Sequence, residues 1–213
     1  MKDHPHDKKI DQGIRFLGKK DKKLATVIRR IGKLNYRSQQ TGFAALVRII
    51  VGQQLSGKAG ETIFQQVRAL TEKRRVTVDA LKELDDTALR SAGLSAAKTG
   101  TVRDLIDKID SGQFNIRSLP HKSEEEINSN ITQVKGLGCW SAQMYLMFVL
   151  CRLDIFSADD LGIQNAICRL YDMDKKTDFE AFSERWRPYR TIACWYLWAS
   201  LDNAPMKETV KTS

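Results

Sequence analysis

Apolar positions recur along most of the chain at three- and four-residue intervals, the spacing of a buried helical face. After Asp21, the residues Leu24, Val27, Ile28 and Ile31 share one side and Lys22, Lys23, Arg29 and Arg30 the other, which predicts a basic amphipathic helix ending at Gly32. Residues 43–51 are apolar almost all round, so the helix predicted there is central, and it stops at the polar turn Gly52-Gln53-Gln54-Leu55-Ser56. Ser56 is placed to cap the next helix, whose buried stripe is Ile63, Phe64, Val67 and Leu70. Shorter helices follow at residues 78–84 and 86–92, and Ser95 opens another that turns Val102, Leu105, Ile106 and Ile109 inward until Gly112. Ser123 followed by Glu126 has the spacing of a capping box. No strand-period alternation of useful length occurs, and the four prolines avoid the periodic runs. The expected fold is all-α.

With 42% apolar residues, four Trp and eight Phe in 213 residues, the chain can bury a core without covalent staples. Residues 1–20 are basic and show no strong period, so they are expected to form a flexible tail; His4 and His6 within it lack further ligands and are expected to be inert. Cys139, Cys151, Cys168 and Cys194 are widely spread with no C-x2-C pair, which points away from a zinc knuckle or a disulfide framework. No run is long enough for a spanning helix and the start carries no apolar leader, so a soluble protein is expected, cytoplasmic and nucleoid-associated or nuclear. The net charge of +9 makes nucleic acid a natural partner, because neutralising phosphates releases counterions.

Residues 127–165 are the most informative. A helix reaches Val134, Lys135-Gly136-Leu137-Gly138 makes a tight turn, and Cys139-Trp140-Ser141-Ala142 starts a second helix. Glycines in such a hairpin can take positive φ and let backbone N–H groups approach a phosphate closely; an ordinary helix corner is the competing account. Further on, Asp159 and Asp160 precede a helix running through Ile167 and Leu170. Adjacent residues cannot share a helix face, so one aspartate is expected to cap the helix and the other to point into a cleft.

The glycine hairpin with Trp-Ser-Ala, about twenty residues before an Asp-Asp pair, and the upstream Ile-Val-Gly-Gln-Gln-Leu-Ser resemble the helix-hairpin-helix (HhH-GPD) DNA glycosylases. Within that superfamily they look most like the alkylation-repair branch of 3-methyladenine DNA glycosylase II, over residues 43–198. The resemblance implies two helical lobes, a central one over residues 41–152 ending in the helix-hairpin-helix and a second made of residues 21–40 and 153–213, with an active-site cleft between them. It implies base excision of alkylated purines such as 3-methyladenine from damaged double-stranded DNA, with no membrane and no obligate protein partner.

By the same resemblance Asp160 is the catalytic carboxylate, stabilising an oxocarbenium-like sugar, and Asp159 its structural neighbour. Gln53, Gln54 and Leu55 are candidates for the wedge that fills the hole left by a flipped base, with Gln54 and Leu55 preferred. Trp140 and Trp198 match pocket positions, where rings over a cationic base contribute ~0.5–2 kcal/mol each. Tyr145 and Trp195 are weaker nominations, and Met144 stands where the family has its pocket tyrosine. Lys135, Gly136, Leu137 and Gly138 form the phosphate-binding hairpin, to which a monovalent cation held by hairpin carbonyls would bridge the DNA. Arg48, Lys58, Lys98, Arg187 and Arg190 are further phosphate candidates. Related enzymes that nick the strand use a lysine amine where this chain has Trp140, so a monofunctional enzyme is implied; the residues after Trp198 contain no cysteine, so neither an iron–sulfur cluster nor another redox cofactor is expected. Two other readings stay open: a related glycosylase for deaminated or mismatched bases, and a non-catalytic DNA-binding module.

Overall fold

The computed structural model describes residues 5–34 and 41–202. In chain order the helices are α1 (Pro5–Lys20), α2 (Lys22–Ile31), α3 (Gly42–Gly52), α4 (Gly57–Ala69), α5 (Val78–Lys82), α6 (Asp86–Ser91), α7 (Ala96–Asp110), α8 (Glu124–Thr132), α9 (Cys139–Phe148), α10 (Leu161–Tyr171), α11 (Phe179–Ser183) and α12 (Arg190–Asp202). Among the described residues there is no strand, and the fold is all-α. No helix among them is long and apolar enough to cross a membrane, and no disulfide joins the four cysteines.

The chain divides into two compact units: a terminal unit of Met1–Tyr36 with Arg152–Ser213, and a hairpin unit of Arg37–Cys151. In the hairpin unit α3 is the core element, as its all-round apolarity predicts: Leu46, Val47, Ile50 and Val51 are fully buried, and α4, α7 and α9 pack around it. Ser56, Ser95 and Ser123 cap α4, α7 and α8 through their hydroxyls, Ser123 within a capping box completed by Glu126. Each such cap is worth about 1 kcal/mol and sets where the following helix starts.

In the terminal unit α12 is the core element, with Ile192 to Leu197 all buried, and α1, α2 and α10 pack against it. Asp21 caps α2 with one carboxylate oxygen while the other accepts from Tyr171 Oη at 2.6 Å and Trp186 Nε1 at 2.9 Å. The ring of Trp186 in turn lies among Phe156, Tyr171 and Phe182.

One expectation fails here. Residues 5–20 are not a flexible tail but the sixteen-residue α1, with Ile10 and Leu17 buried. Its inward face is a narrow stripe interrupted by Gly13, where a Cβ would stand 2.4 Å from Ile192 Cδ1, so the close approach to α12 requires glycine at a position the hydrophobic period cannot register. His4 and the His6 side chain lie outside the described residues.

Candidate functional site

In the hairpin unit, α8, the turn at 133–138 and α9 form the expected helix-hairpin-helix. Gly136 takes φ +87°, and a Cβ there would meet Thr101 Oγ1 at 2.2 Å, so both the backbone and the neighbour demand glycine. Among the described residues the exposed N–H groups of Gly136 and Gly138 have no hydrogen-bond partner, the arrangement an anion would complete. The other two hairpin residues are already engaged. Lys135 N–H donates to Asp104 Oδ2 at 2.8 Å, and Leu137 N–H to Val134 O at 3.0 Å, so the phosphate grip is narrower than four consecutive donors. Burial works to raise the Asp104 carboxyl, but its bonds from Lys108 and Lys135 outweigh that and hold it below the ordinary carboxylate range.

The turn after α3 is tied to this hairpin. Gln53 Nε2 donates to Gly136 O at 2.9 Å and Ser141 Oγ at 3.2 Å, which commits its amide to structure. Gln54, at φ +57°, and Leu55 are exposed beyond it. Lys98 is not a phosphate ligand here: its ammonium donates to Val51 O at 2.7 Å and Gln53 O at 2.8 Å, a cation at the carbonyl end of α3, and burial lowers its pKa. Lys98, Thr101 and Asp104, three residues apart on α7, therefore seat the turn and the hairpin together. That polar stripe is visible in the sequence, yet its partners lie 31 or more residues away. The monovalent cation implied at the hairpin would meet carbonyls only. Val134 O and Gly136 O each accept one hydrogen bond and retain a second lone pair, oxygen donors that suit a hard cation, whereas Gly138 O already accepts from Ser141 N–H and Ala142 N–H.

In the terminal unit, Asp160 is the N-cap of α10, its Oδ1 accepting from Ile163 N–H at 2.8 Å and from Trp198 Nε1–H on α12 at 2.9 Å. The division of labour expected between the two aspartates is corrected: Asp160 takes the cap itself, because a cap occupies one oxygen of two, while Asp159 is exposed. Asp160 is half-buried. Its loop is stitched to the start of α12. Thr191 N–H donates to Leu153 O, Thr191 Oγ1 donates to Arg152 O and accepts from Ile155 N–H, and Arg190 binds Asp154 and Glu180. Two turns later the same helix supplies Trp198. Gly162 makes room for that indole: a Cβ there would stand 3.0 Å from Asp160 Oδ1 and 3.1 Å from Trp198 Cδ1.

The remaining candidates separate. Trp140, on the first turn of α9, and Trp198 are half-buried, one in each unit. Met144, Tyr145 and Trp195 are 6%, 1% and 1% exposed, the burial expected of apolar and aromatic residues at helical spacing. Burial pushes the Tyr145 hydroxyl upward. Arg48 pairs with Glu61, Arg187 with Asp154 and Glu184, and Arg190 with Asp154 and Glu180, so these three act within the fold, while Lys58 is exposed on the first turn of α4.

Comparison with known proteins adds three findings. Residues 47–191 match the family profile described as HhH-GPD superfamily base excision DNA repair protein. DNA-3-methyladenine glycosylase 1 of Schizosaccharomyces pombe is 31% identical over 195 residues, 86% of each chain. Two solved structures share the fold. The S. pombe 3-methyladenine DNA glycosylase in complex with abasic DNA has a TM-score of 0.82 at 28% identity, over 91% of this chain and 98% of that one. The DNA-3-methyladenine glycosidase from Bacillus halodurans has a TM-score of 0.71 at 32% identity, over 94% and 91%.

Proposed function

Since this chain belongs to the HhH-GPD superfamily of base excision DNA repair proteins, we propose that it is a monofunctional DNA glycosylase that hydrolyses the N-glycosidic bond of alkylated purines such as 3-methyladenine in damaged double-stranded DNA. The observation that carries the chemistry is the anchoring of Asp160 by Ile163 N–H and Trp198 Nε1–H. A carboxylate held at Oδ1 by two donors cannot rotate away, so its charge is fixed before substrate arrives. The alkylated base leaves with the bonding pair of its C1′–N bond, and the sugar becomes an oxocarbenium ion, which Asp160 stabilises. Water adds at C1′ and yields its proton to the carboxylate. A purine that is cationic before cleavage departs neutral, so no general acid stands behind it.

The flipped nucleotide leaves a hole in the duplex that Gln54 or Leu55 fills, the Gln53 amide being held by the hairpin. The names of the similar proteins support the substrate class, and the abasic DNA bound by the S. pombe enzyme is the type of product this reaction makes. Position 140 carries an indole where a strand-nicking relative would carry an amine, so the abasic product is released uncleaved. Duplexes containing methylated purine or hypoxanthine, incubated with the protein under borohydride, test the reading. Free methylated base is expected with no trapped protein–DNA adduct; preferential release of hypoxanthine overturns the substrate class, and a trapped adduct overturns the monofunctional assignment.

Gly162→Ala is expected to slow base release roughly tenfold, the scale of one weakened hydrogen bond to a charged group, with unchanged DNA affinity. Alanine is the better helix former, so thermal stability should hold, and kinetics at saturating DNA read the effect directly.

A further inference from the structure

The positive charge of this protein is concentrated in one stretch. Residues 12–60 hold eleven Lys and Arg against a single acid, Asp21, while the rest of the chain balances to within one charge. Asp21 is buried and accepts from Lys23 N–H, Leu24 N–H, Tyr171 Oη and Trp186 Nε1, so its charge is spent inside the terminal unit. Around it, at the junction of α1 and α2, stand Lys19, Lys20, Lys22 and Lys23, and Arg29 and Arg30 follow seven residues after Lys22 and Lys23 on the same exposed face of α2. None of these six cations is in an ion pair among the described residues. Lys33 is excluded from the group by its pair with Asp11.

The like charges of this face repel one another. Four lysines crowd one corner, and two of them occupy the first turn of α2, where the helix dipole disfavours cations. Lys19 and Lys20 close α1 and Arg29 and Arg30 close α2, where the dipole favours cations, and Lys20 and Lys23 lie over the rings of Phe16 and Tyr171. None of this neutralises the six charges, and a face of unneutralised like charge suits a partner outside the fold. The partner must be a polyanion with repeated charges and no demand for shape, because the face offers flexible side chains rather than a cavity. We propose that the α1–α2 face of the terminal unit is a second DNA-binding surface, engaging the phosphate backbone of undamaged duplex independently of sequence, in addition to the Gly136–Gly138 hairpin. It holds the protein on DNA while it searches. The inference takes from the glycosylase reading only the identity of the polyanion.

The test uses the full chain and an undamaged duplex. Lys19→Gln, Lys20→Gln, Lys22→Gln and Lys23→Gln combined should weaken binding about tenfold or more at low salt and flatten the plot of log affinity against log salt by about 0.9 for each phosphate no longer neutralised. The variant should remain folded, as thermal melting reads, and base release at saturating DNA should not change. The double variant Lys22→Gln with Lys23→Gln should show a smaller weakening of the same kind, and Lys73, Arg75, Lys175 and Lys176 replaced by Gln supply a control of equal charge change. An unchanged salt slope, or equal weakening by the control, overturns the proposal. So does a variant that binds DNA normally but fails to bind polyglutamate. Failure of the glycosylase reading would appear instead as absent base release by the unaltered protein, leaving the salt slope intact.

Discussion

Asp160→Asn is expected to reduce release of a methylated purine by ~10²–10³-fold or more, the scale of removing a preorganised electrostatic interaction from a transition state, while DNA affinity stays within a few-fold. The substitution is conservative where the structure needs it to be. An asparagine Oδ1 still accepts from Ile163 N–H and Trp198 Nε1–H, and asparagine caps helices about as well as aspartate, so α10 and its junction with α12 persist. What disappears is the negative charge facing the oxocarbenium ion and the proton acceptor for water. Asp159→Asn, at the exposed neighbour, should turn over like the unaltered protein. Single-turnover kinetics with thermal melting of each variant make the comparison. If Asp159→Asn is inactive and Asp160→Asn is not, the catalytic role belongs one residue earlier.

Gly136→Val is expected to act on binding. Valine at φ +87° is a backbone outlier costing about 1–3 kcal/mol, and its Cβ would overlap Thr101 Oγ1, so the hairpin must lift from α7. Lifting also disturbs Gly136 O, the acceptor for Gln53, and so carries the displacement into the wedge turn. DNA affinity should fall about tenfold or more, since 1.4 kcal/mol is a factor of ten. Gly136→Ala combined with Thr101→Ala removes the overlap but not the φ strain, and should recover part of the affinity. Unchanged binding by Gly136→Val would exclude the hairpin from the interface.

The features legible in the sequence are those set by local chemistry. The serine caps of α4, α7 and α8, the glycine hairpin and the burial of α3 depend on residues within a few positions of one another, so spacing reveals them. Features that depend on distant partners were not legible. Lys98 resembles a phosphate ligand until α3 and the turn after it supply carbonyls 47 and 45 residues away. Arg190 looks like a surface cation until Asp154 meets it from 36 residues back. Gly162 looks like an ordinary early-helix residue, because the indole it accommodates comes from α12. The aspartate pair shows a different limit: sequence spacing separates two side chains but not the two oxygens of one, and Asp160 can use one for the cap.

On the proposed function, this chain detaches an alkylated purine from its sugar. Chromatographic quantification of free base and intact strand, after excess protein is mixed with a duplex carrying one methylated purine, reads that reaction itself. One equivalent of free base per duplex is expected, with the strand unbroken until alkali opens the abasic site. A duplex bound fully at the same protein concentration, its methylated base still attached, would contradict the proposed function.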